Sequence, residues 1–396
     1  VTLYLQHGHG KSDRIRDSFN DKSSQGVIFA ARNEQPDKLD ACIAELRTLG
    51  SYTLMLDPQF HICTVAPPKD RYLPDHYPYY EAGRNASDFI GAKKLREYAA
   101  STIQFQHTRD LDRLLSPTVI LSSFSDRWSQ IALQLADSSV DVHAGLTSPK
   151  PLLLSFVISE SAFDSRSELE MFLDTLTSWD VHGFYLCIVR DEASYSQSFD
   201  QDRLANILYA TYVLGDRNQF EVNCGYSDFV GLTMRAAGAT TIATGWSQSQ
   251  RQCHMNTFVK KDTIARRPRL RYSSGPLLNT IMISELEQIA NIGRLNDVLS
   301  GVPLDSEITS ASSPDSSAWN DRLSERHHWQ TLNDIDSTLV SNVRKNLLAL
   351  LTRVRYAKSL YVDLKANGIQ FQRLTNDEHL DQWDEALEEF QRIASP

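Results

Sequence analysis

The sequence predicts an α/β fold, a (β/α)8 TIM-like barrel with a C-terminal helical extension. Three observations predict it. Between Gly26 and Gly245, seven short apolar runs alternate with amphipathic stretches. The runs are almost unbroken in Val, Ile, Leu and Phe, as expected of strands buried on both faces of a parallel sheet. The first run is not followed by G-x-G-x-x-G, so an open dinucleotide-binding sheet, the other common βα arrangement, has no support.

The elements follow in order. "GVIFAARN" (26–33) reads as the first barrel strand, and "PDKLDACIAELRTLG" (36–50) as a helix stopped by Gly. "YTLMLDPQFH" (52–61) is the second strand, followed by a long polar and aromatic loop. A helix near 91–114 leads to the strand "TVILSSFSD" (118–126) and the helix "RWSQIALQLAD". "PLLLSFVISES" (151–161), "GFYLCIVRDE" (183–192) and "QFEVNCGYSD" (219–228) each precede a helix, and "TTIATGWSQSQ" closes the series. "RLRYSS" (269–274) is the candidate for the eighth strand. Residues 1–295 are therefore read as the catalytic barrel with an N-terminal extension. Residues 300–321, rich in Ser, Pro and Asp, read as a flexible linker or loop, and 322–396 as a helical region.

The chain of 396 residues, 41% hydrophobic and 23% charged, has the composition of a globular protein. No apolar run approaches the roughly 18 residues of a membrane helix, and the N-terminus lacks the basic-then-apolar pattern of a signal peptide. Cys42, Cys63, Cys187, Cys224 and Cys253 are scattered, with no C-x-x-C pair. That argues against a disulfide scaffold or a structural zinc site and for a reducing cytoplasm. A net charge of −10 lowers the expectation of nucleic-acid binding. Its distribution points the other way. "VKKDTIARRPRLRY" (259–272) carries Lys260, Lys261, Arg266, Arg267, Arg269 and Arg271 against Asp262 alone. A solvated loop is the plain reading of such a run. Its place just after the seventh strand puts it near the barrel mouth, where with Arg251 it would hold a phosphate backbone.

Catalytic residues of a barrel lie at the C-terminal strand ends. Here those ends offer Arg32 and Asn33; Asp57, Gln59 and His61; Ser122, Ser123 and Asp126; Ser159 and Glu160; Arg190, Asp191 and Glu192. The last two strands add Asn223, Tyr226, Ser227 and Asp228, then Thr244, Trp246, Gln248 and Arg251. Asp126 and Asp228 precede helices and read as N-caps. Asp57 is followed by Pro58 with no helix starting there, so capping does not explain it. Trp246, beside Gly245, suits either packing or a stacking wall for a flat base. "HGHG" (7–10) is similar to the H-x-H that opens some metal-dependent hydrolase barrels, but the fourth to sixth strands do not end in His. No metal or other cofactor is therefore expected. A Ser-His-Asp hydrolase lacks its G-x-S-x-G.

The serial order of these strand ends over about 50–295 resembles the tRNA-guanine transglycosylase superfamily, which includes relatives that exchange bases in DNA. "LDPQF" (56–60) is similar to the family's Asp and short turn after an early strand. "FVISES" (156–161) occupies the slot of its Val-Gln-Gly-Gly strand, and "GFYLCIVRDE" matches its Gly-Tyr strand in outline. "VNCGYSDFVGLTMRAAGATTIATGWSQSQRQ" follows its next strand, turn, helix and strand. "RYSSGPLLNTIMISELEQI" resembles the helix after its barrel. Two departures matter. The family's nucleophilic Asp falls near Thr244 or Gly245, and its cluster of three Cys and a His is missing. Asp57 stands where the family keeps its other catalytic Asp.

The resemblance implies glycosyl chemistry on a nucleobase. A glycosidic C–N bond breaks through an oxocarbenium-like sugar, which one carboxylate can stabilise while activating water. The expectation is an N-glycosylase that flips a modified base out of DNA, more than RNA, and hydrolyses it off, a role suited to bacterial antiviral defence. Asp57, Glu160 and Asp191 form the expected catalytic set. Trp246 and Tyr226 would stack; Gln248, Asn223 and Ser159 would read edges; Gln59 and Ser123 complete the substrate-binding set. Three alternatives stay open: base exchange with Asp191 or Glu160 as nucleophile, hydrolysis of small sugars or nucleosides, and a non-catalytic nucleic-acid-binding barrel.

Overall fold

The computed structural model describes residues 2–191, 197–260 and 269–395. Eight parallel strands make a nearly closed barrel: β1 (Leu3–Gln6), β2 (Gly26–Ala30), β3 (Thr53–Asp57), β4 (Leu114–Leu115), and, past the two-residue β5 (Ile120–Leu121) that also lies on β6, β6 (Leu152–Ser159), β7 (Gly183–Arg190), β8 (Glu221–Gly225) and β9 (Thr241–Thr244). Around the wall the order is β3-β2-β1-β9-β8-β7-β6-β4. The gap between β3 and β4 is bridged by Asp112, whose N–H donates to Leu54 O (2.9 Å) and whose carboxylate accepts from Leu54 N (2.6 Å).

Two expectations about the strands are corrected. The first barrel strand is β1, inside what reads in the sequence as an N-terminal extension; it pairs with β2 and β9. Segment 269–274 is not a barrel strand. β11 (Arg271–Ser274) pairs antiparallel with β12 (Asn279–Met282), after the short β10 (Cys253–His254). Only a tight turn separates β11 from β12, and a parallel pairing would need a crossover of a dozen residues or more.

Side chains alternate across each strand, so one set fills the barrel. Tyr4, Ile28, Met55, Leu115, Leu153, Tyr185 and Ala243 form one interior cluster drawn from seven strands. The eighth, β8, places Asn223 opposite Tyr185 in the register. Two residues further along, the interior positions become polar: Gln6 on β1 and Asp57 on β3. The outward faces of the strands are buried under the surrounding helices, including Pro36–Arg47, Ala92–His107, Arg127–Ala144, Arg166–Leu176 and Gln201–Tyr212.

The C-terminal helices Asp321–Ser337, Val343–Ala366 and Glu378–Ala394 pack beside the barrel. The first, capped by Asn320, whose side chain accepts from Arg322 and Leu323 N–H, begins close to the start of the helical region expected from the sequence. Stretch 300–321 forms short helical turns with Val302, Ile308 and Trp319 buried. Among the described residues, no helix is long and apolar enough to cross a membrane.

Candidate active site at the barrel mouth

Asp57 ends β3, and its side chain lies in the barrel at the C-terminal rim, 5% exposed. Its Oδ1 accepts from Gln59 N–H (2.9 Å), and its Oδ2 lies 3.5 Å from the Tyr185 hydroxyl. That hydroxyl also lies 3.5 Å from Gln6 Oε1. Tyr185 reaches up the barrel axis past Gly225 of β8, where a Cβ would stand 2.4 Å from the hydroxyl. This is the reason for the Gly in "NCGY". Burial raises the Asp57 carboxyl from 3.8 to about 6, against the opposing pulls of Gln59 N–H, the Arg32 charge and Tyr185. No cation hydrogen-bonds it among the described residues.

The wall around Asp57 is polar and tightly held. Gln59 Nε2 donates to the Tyr226 hydroxyl (3.3 Å), and Gln59 Oε1 accepts from Arg32 N–H (3.2 Å). Gln59 and Tyr226 both hold left-handed backbone, φ 50° and 53°. For side chains of that size such a conformation costs about 1–3 kcal/mol and persists where packing over-determines it, commonly at functional sites. Several buried polar atoms here lack a protein partner among the described residues: Gln6 Nε2, Arg32 Nε and His61 Nε2. Buried groups of this kind are normally hydrogen-bonded, so these atoms are available to bond a ligand or water.

A segment from the far side of the barrel covers this centre. β8 stops at Gly225, opposite Cys187, and β10 takes over the pairing with the end of β7, Cys253 against Val189. The chain then crosses toward the β3 loop. Thr257 O accepts from Arg32 Nη1 (2.5 Å), Phe258 O from Lys69 N (2.7 Å), and Lys260 N donates to Pro67 O (3.0 Å). The Phe258 ring sits edge-on to His61 (4.8 Å) and under the Arg32 guanidinium (4.9 Å). Gln6, Gln59, Tyr185, Tyr226 and Asp57 are all buried.

The other predicted site residues fall into groups. Glu160 is buried in an ion pair with Arg190 Nε and accepts from Asp191 N (3.0 Å); Asp191 is exposed and pairs with Arg203 (3.0 Å). Both carboxylates thus belong to an arginine-bound cluster on the β7 rim. Ser159 ends β6, half-buried, and Ser123 is turned outward, bonding Glu168 (3.1 Å). Asn223 is not at a strand end. It lies mid-β8 facing the barrel floor, where its amide bonds Glu221 (2.9 Å) and Thr241. The strand stops three residues earlier than its apolar pattern suggests, because Tyr226 already adopts the left-handed turn. Trp246 is buried, its ring edge-on to His7 (5.8 Å) and its Nε1 donating to His9 O (2.9 Å). Lys261, Arg266, Arg267 and Glu192 lie outside the described residues.

Asp126 caps its helix as expected, accepting from Ser129 N (2.8 Å). Asp228 does not cap. It accepts from Gln197 Nε2 (2.9 Å) and lies 2.8 Å from His328 Nε2. His328 Nδ1 is 2.8 Å from Ser273 Oγ. This Ser–His–Asp chain is sealed in the core, with His328 0% exposed, and joins β8, β11 and the C-terminal helices. Burial, with Arg251 nearby, lowers His328 to about 4 despite Asp228. His7, in "HGHG", is buried and lowered to about 3, and its Nδ1 accepts from Ala30 N (3.2 Å). Among the described residues no group of three or more His, Cys, Asp or Glu is placed to hold a metal.

The sequence reading missed Gln6 and Tyr185. The four-residue β1 was too short to register as a strand, and Tyr185 sits mid-strand in an apolar run where it reads as packing. The usable signal was the alternation in "LYLQ" just before polar "HGHG".

No family model matches the chain, and no curated protein matches it. Among solved structures, nitroalkane oxidase from Streptomyces ansochromogenes is similar at a TM-score of 0.27 and 12% identity, over 88% of this chain and 97% of that one. A likeness that distant carries nothing about chemistry. The barrel, with Asp57 buried at its mouth, is what the chain's function has to be read from.

Proposed function

We propose that the protein is an N-glycosylase that hydrolyses a modified base from DNA, with Asp57 as the carboxylate at the scissile C–N bond. One observation carries this reading: Asp57 is a buried strand-end carboxylate with no hydrogen-bonded cation among the described residues, ringed by Tyr185, Gln6 and Gln59. A carboxylate buried from bulk water and not hydrogen-bonded to a cation is suited to a positive charge that forms only during reaction. The oxocarbenium-like sugar of glycosidic cleavage is such a charge. Asp57, ionised above about pH 6, would stabilise it and take a proton from the attacking water. The amides of Gln6 and Gln59 and the Tyr226 hydroxyl offer donors and acceptors at the height of a base edge. A base would have to leave the DNA stack to meet them. The resemblance of the strand-end order to the transglycosylase superfamily, with its second Asp missing, supports hydrolysis over exchange. So does the commitment of Glu160 and Asp191 to arginines.

The test is incubation of the protein with DNA carrying a panel of modified bases, followed by detection of abasic sites and free base. Release by the parent and loss in Asp57→Asn are expected. Full activity in Asp57→Asn sinks the assignment. A denaturation-resistant protein–DNA adduct would establish exchange chemistry instead.

A further inference from the structure

Outside the closed Asp57 centre, a cleft of about 280 Å³ opens on the same rim, at the ends of β1 and β9. Its walls bring together residues far apart in sequence: Arg14 from the helix after β1, Trp246, Gln248 and Arg251 after β9, and Arg269 and Arg271 leading into β11. Four arginines face two carboxylates, Asp321 and Glu325. Glu325 is matched to Arg14 by two bonds of 2.7 and 2.9 Å, and the Arg14 guanidinium stands 5.7 Å from the Trp246 ring centre. Arg251 is buried and fixed by Gly245 O (3.1 Å). Among the described residues that line the cleft, guanidinium groups outnumber carboxylates by four to two, and Arg14 and Arg251 are pre-set in geometry, which suits anion binding. In a chain whose net charge is −10, this is a local reversal of sign.

We infer that this cleft binds the phosphodiester backbone of single-stranded DNA beside the base being processed. The inference rests on the proposed function for its choice of DNA over a free anion. β9 lies three strands from β3 around the wall. At about 4.8 Å per strand the cleft stands roughly 14 Å from Asp57 along the rim. That is about four stacked nucleotides at about 3.4 Å each, and fewer if the strand is drawn out. A strand with one base at Asp57 thus lays a phosphate up to about four nucleotides away on the arginines. Trp246, buried against His7, braces the cleft wall.

The probe is a fluorescently labelled single-stranded DNA oligonucleotide, read by anisotropy across a salt series, with unlabelled DNA and inorganic phosphate as competitors. Arg269 is exposed, so Arg269→Glu leaves the core untouched. It should weaken binding by tenfold or more at low salt and reduce the log–log salt slope by about 0.7 for each phosphate that is no longer neutralised. Arg269→Lys, which keeps the charge, should recover most of the affinity. Unchanged affinity and slope in Arg269→Glu overturn the inference. So does displacement of DNA by inorganic phosphate as readily as by unlabelled DNA, which would mark a small-anion site. DNA binding lost in Arg269→Glu, but no base released from any modified DNA by the parent, keeps the cleft and removes the glycosylase. Base release with Arg269→Glu binding intact removes the cleft alone. A parent that binds no DNA overturns both.

Discussion

Replacing Asp57 by Asn should abolish base release and at the same time stabilise the protein at neutral pH. The carboxyl is raised from 3.8 to about 6 by burial. The folded state therefore holds its proton more tightly than the unfolded chain does. The stability this supplies is fully present below pH 3.8 and is lost as pH rises through about 6. A rise of that size, at about 1.4 kcal/mol per unit, amounts to about 3 kcal/mol lost by pH 7. Asn is nearly isosteric and never ionises. Its oxygen can still accept from Gln59 N–H, and its amide can face the Tyr185 and Gln6 oxygens. Asp57→Asn should thus gain up to about 3 kcal/mol at pH 7.5 and nothing below about pH 4. With an unfolding entropy of about 2.1 cal/mol/K per residue, that is a rise in Tm of roughly 3–4 °C. Thermal melts of both proteins from pH 4 to pH 8, beside the abasic-site assay, check it. An Asn variant that is less stable at pH 7.5, with the same pH dependence as the parent, would refute the picture of a lone buried carboxylate.

Further outcomes follow from the same geometry. The pH profile of kcat/KM for base release should rise along one limb centred near the Asp57 value of about 6, measured by free-base release in constant-ionic-strength buffers. His328→Ala should cost about 3 kcal/mol in urea melts at pH 7.5, because it strips the buried Asp228 of its partner. His328 is lowered to about 4, so the stability tied to its neutral form is present above pH 6.5 and lost as pH falls through about 4. The His328→Ala variant should therefore lose less stability than the parent over that acid range. Phe258→Ala removes the ring between His61 and Arg32, so it should loosen the 253–260 cover. Maleimide labelling of Cys253, buried in the intact protein, should then quicken by about tenfold or more, with the modified cysteine identified by mass spectrometry.

The sequence alone determined the barrel. Long apolar runs such as 152–159 and 183–190 can be buried on both faces only in a helix-covered parallel sheet, and their alternation with amphipathic stretches sets the topology. It also singled out Asp57, although the expectation that no helix follows it is corrected: a 3-10 turn, Phe60–Thr64, begins just beyond Pro58, and Asp57 accepts from Gln59 N–H at its entry. Only the tertiary structure decided what surrounds that carboxylate. Gln6 lies on a strand of four residues, stabilised by its neighbours β2 and β9 rather than by any local pattern. Tyr185 points along the barrel axis because Gly225 on the adjacent strand leaves the space. Asp228 follows a strand and precedes a helix, as a cap does, but its partner His328 stands 100 residues further on. The cleft likewise assembles Arg14, Arg251 and Arg271 from three distant segments. Local periodicity records which face of an element is buried. Which polar groups meet inside depends on how the elements close on one another, and no stretch of sequence holds that information by itself.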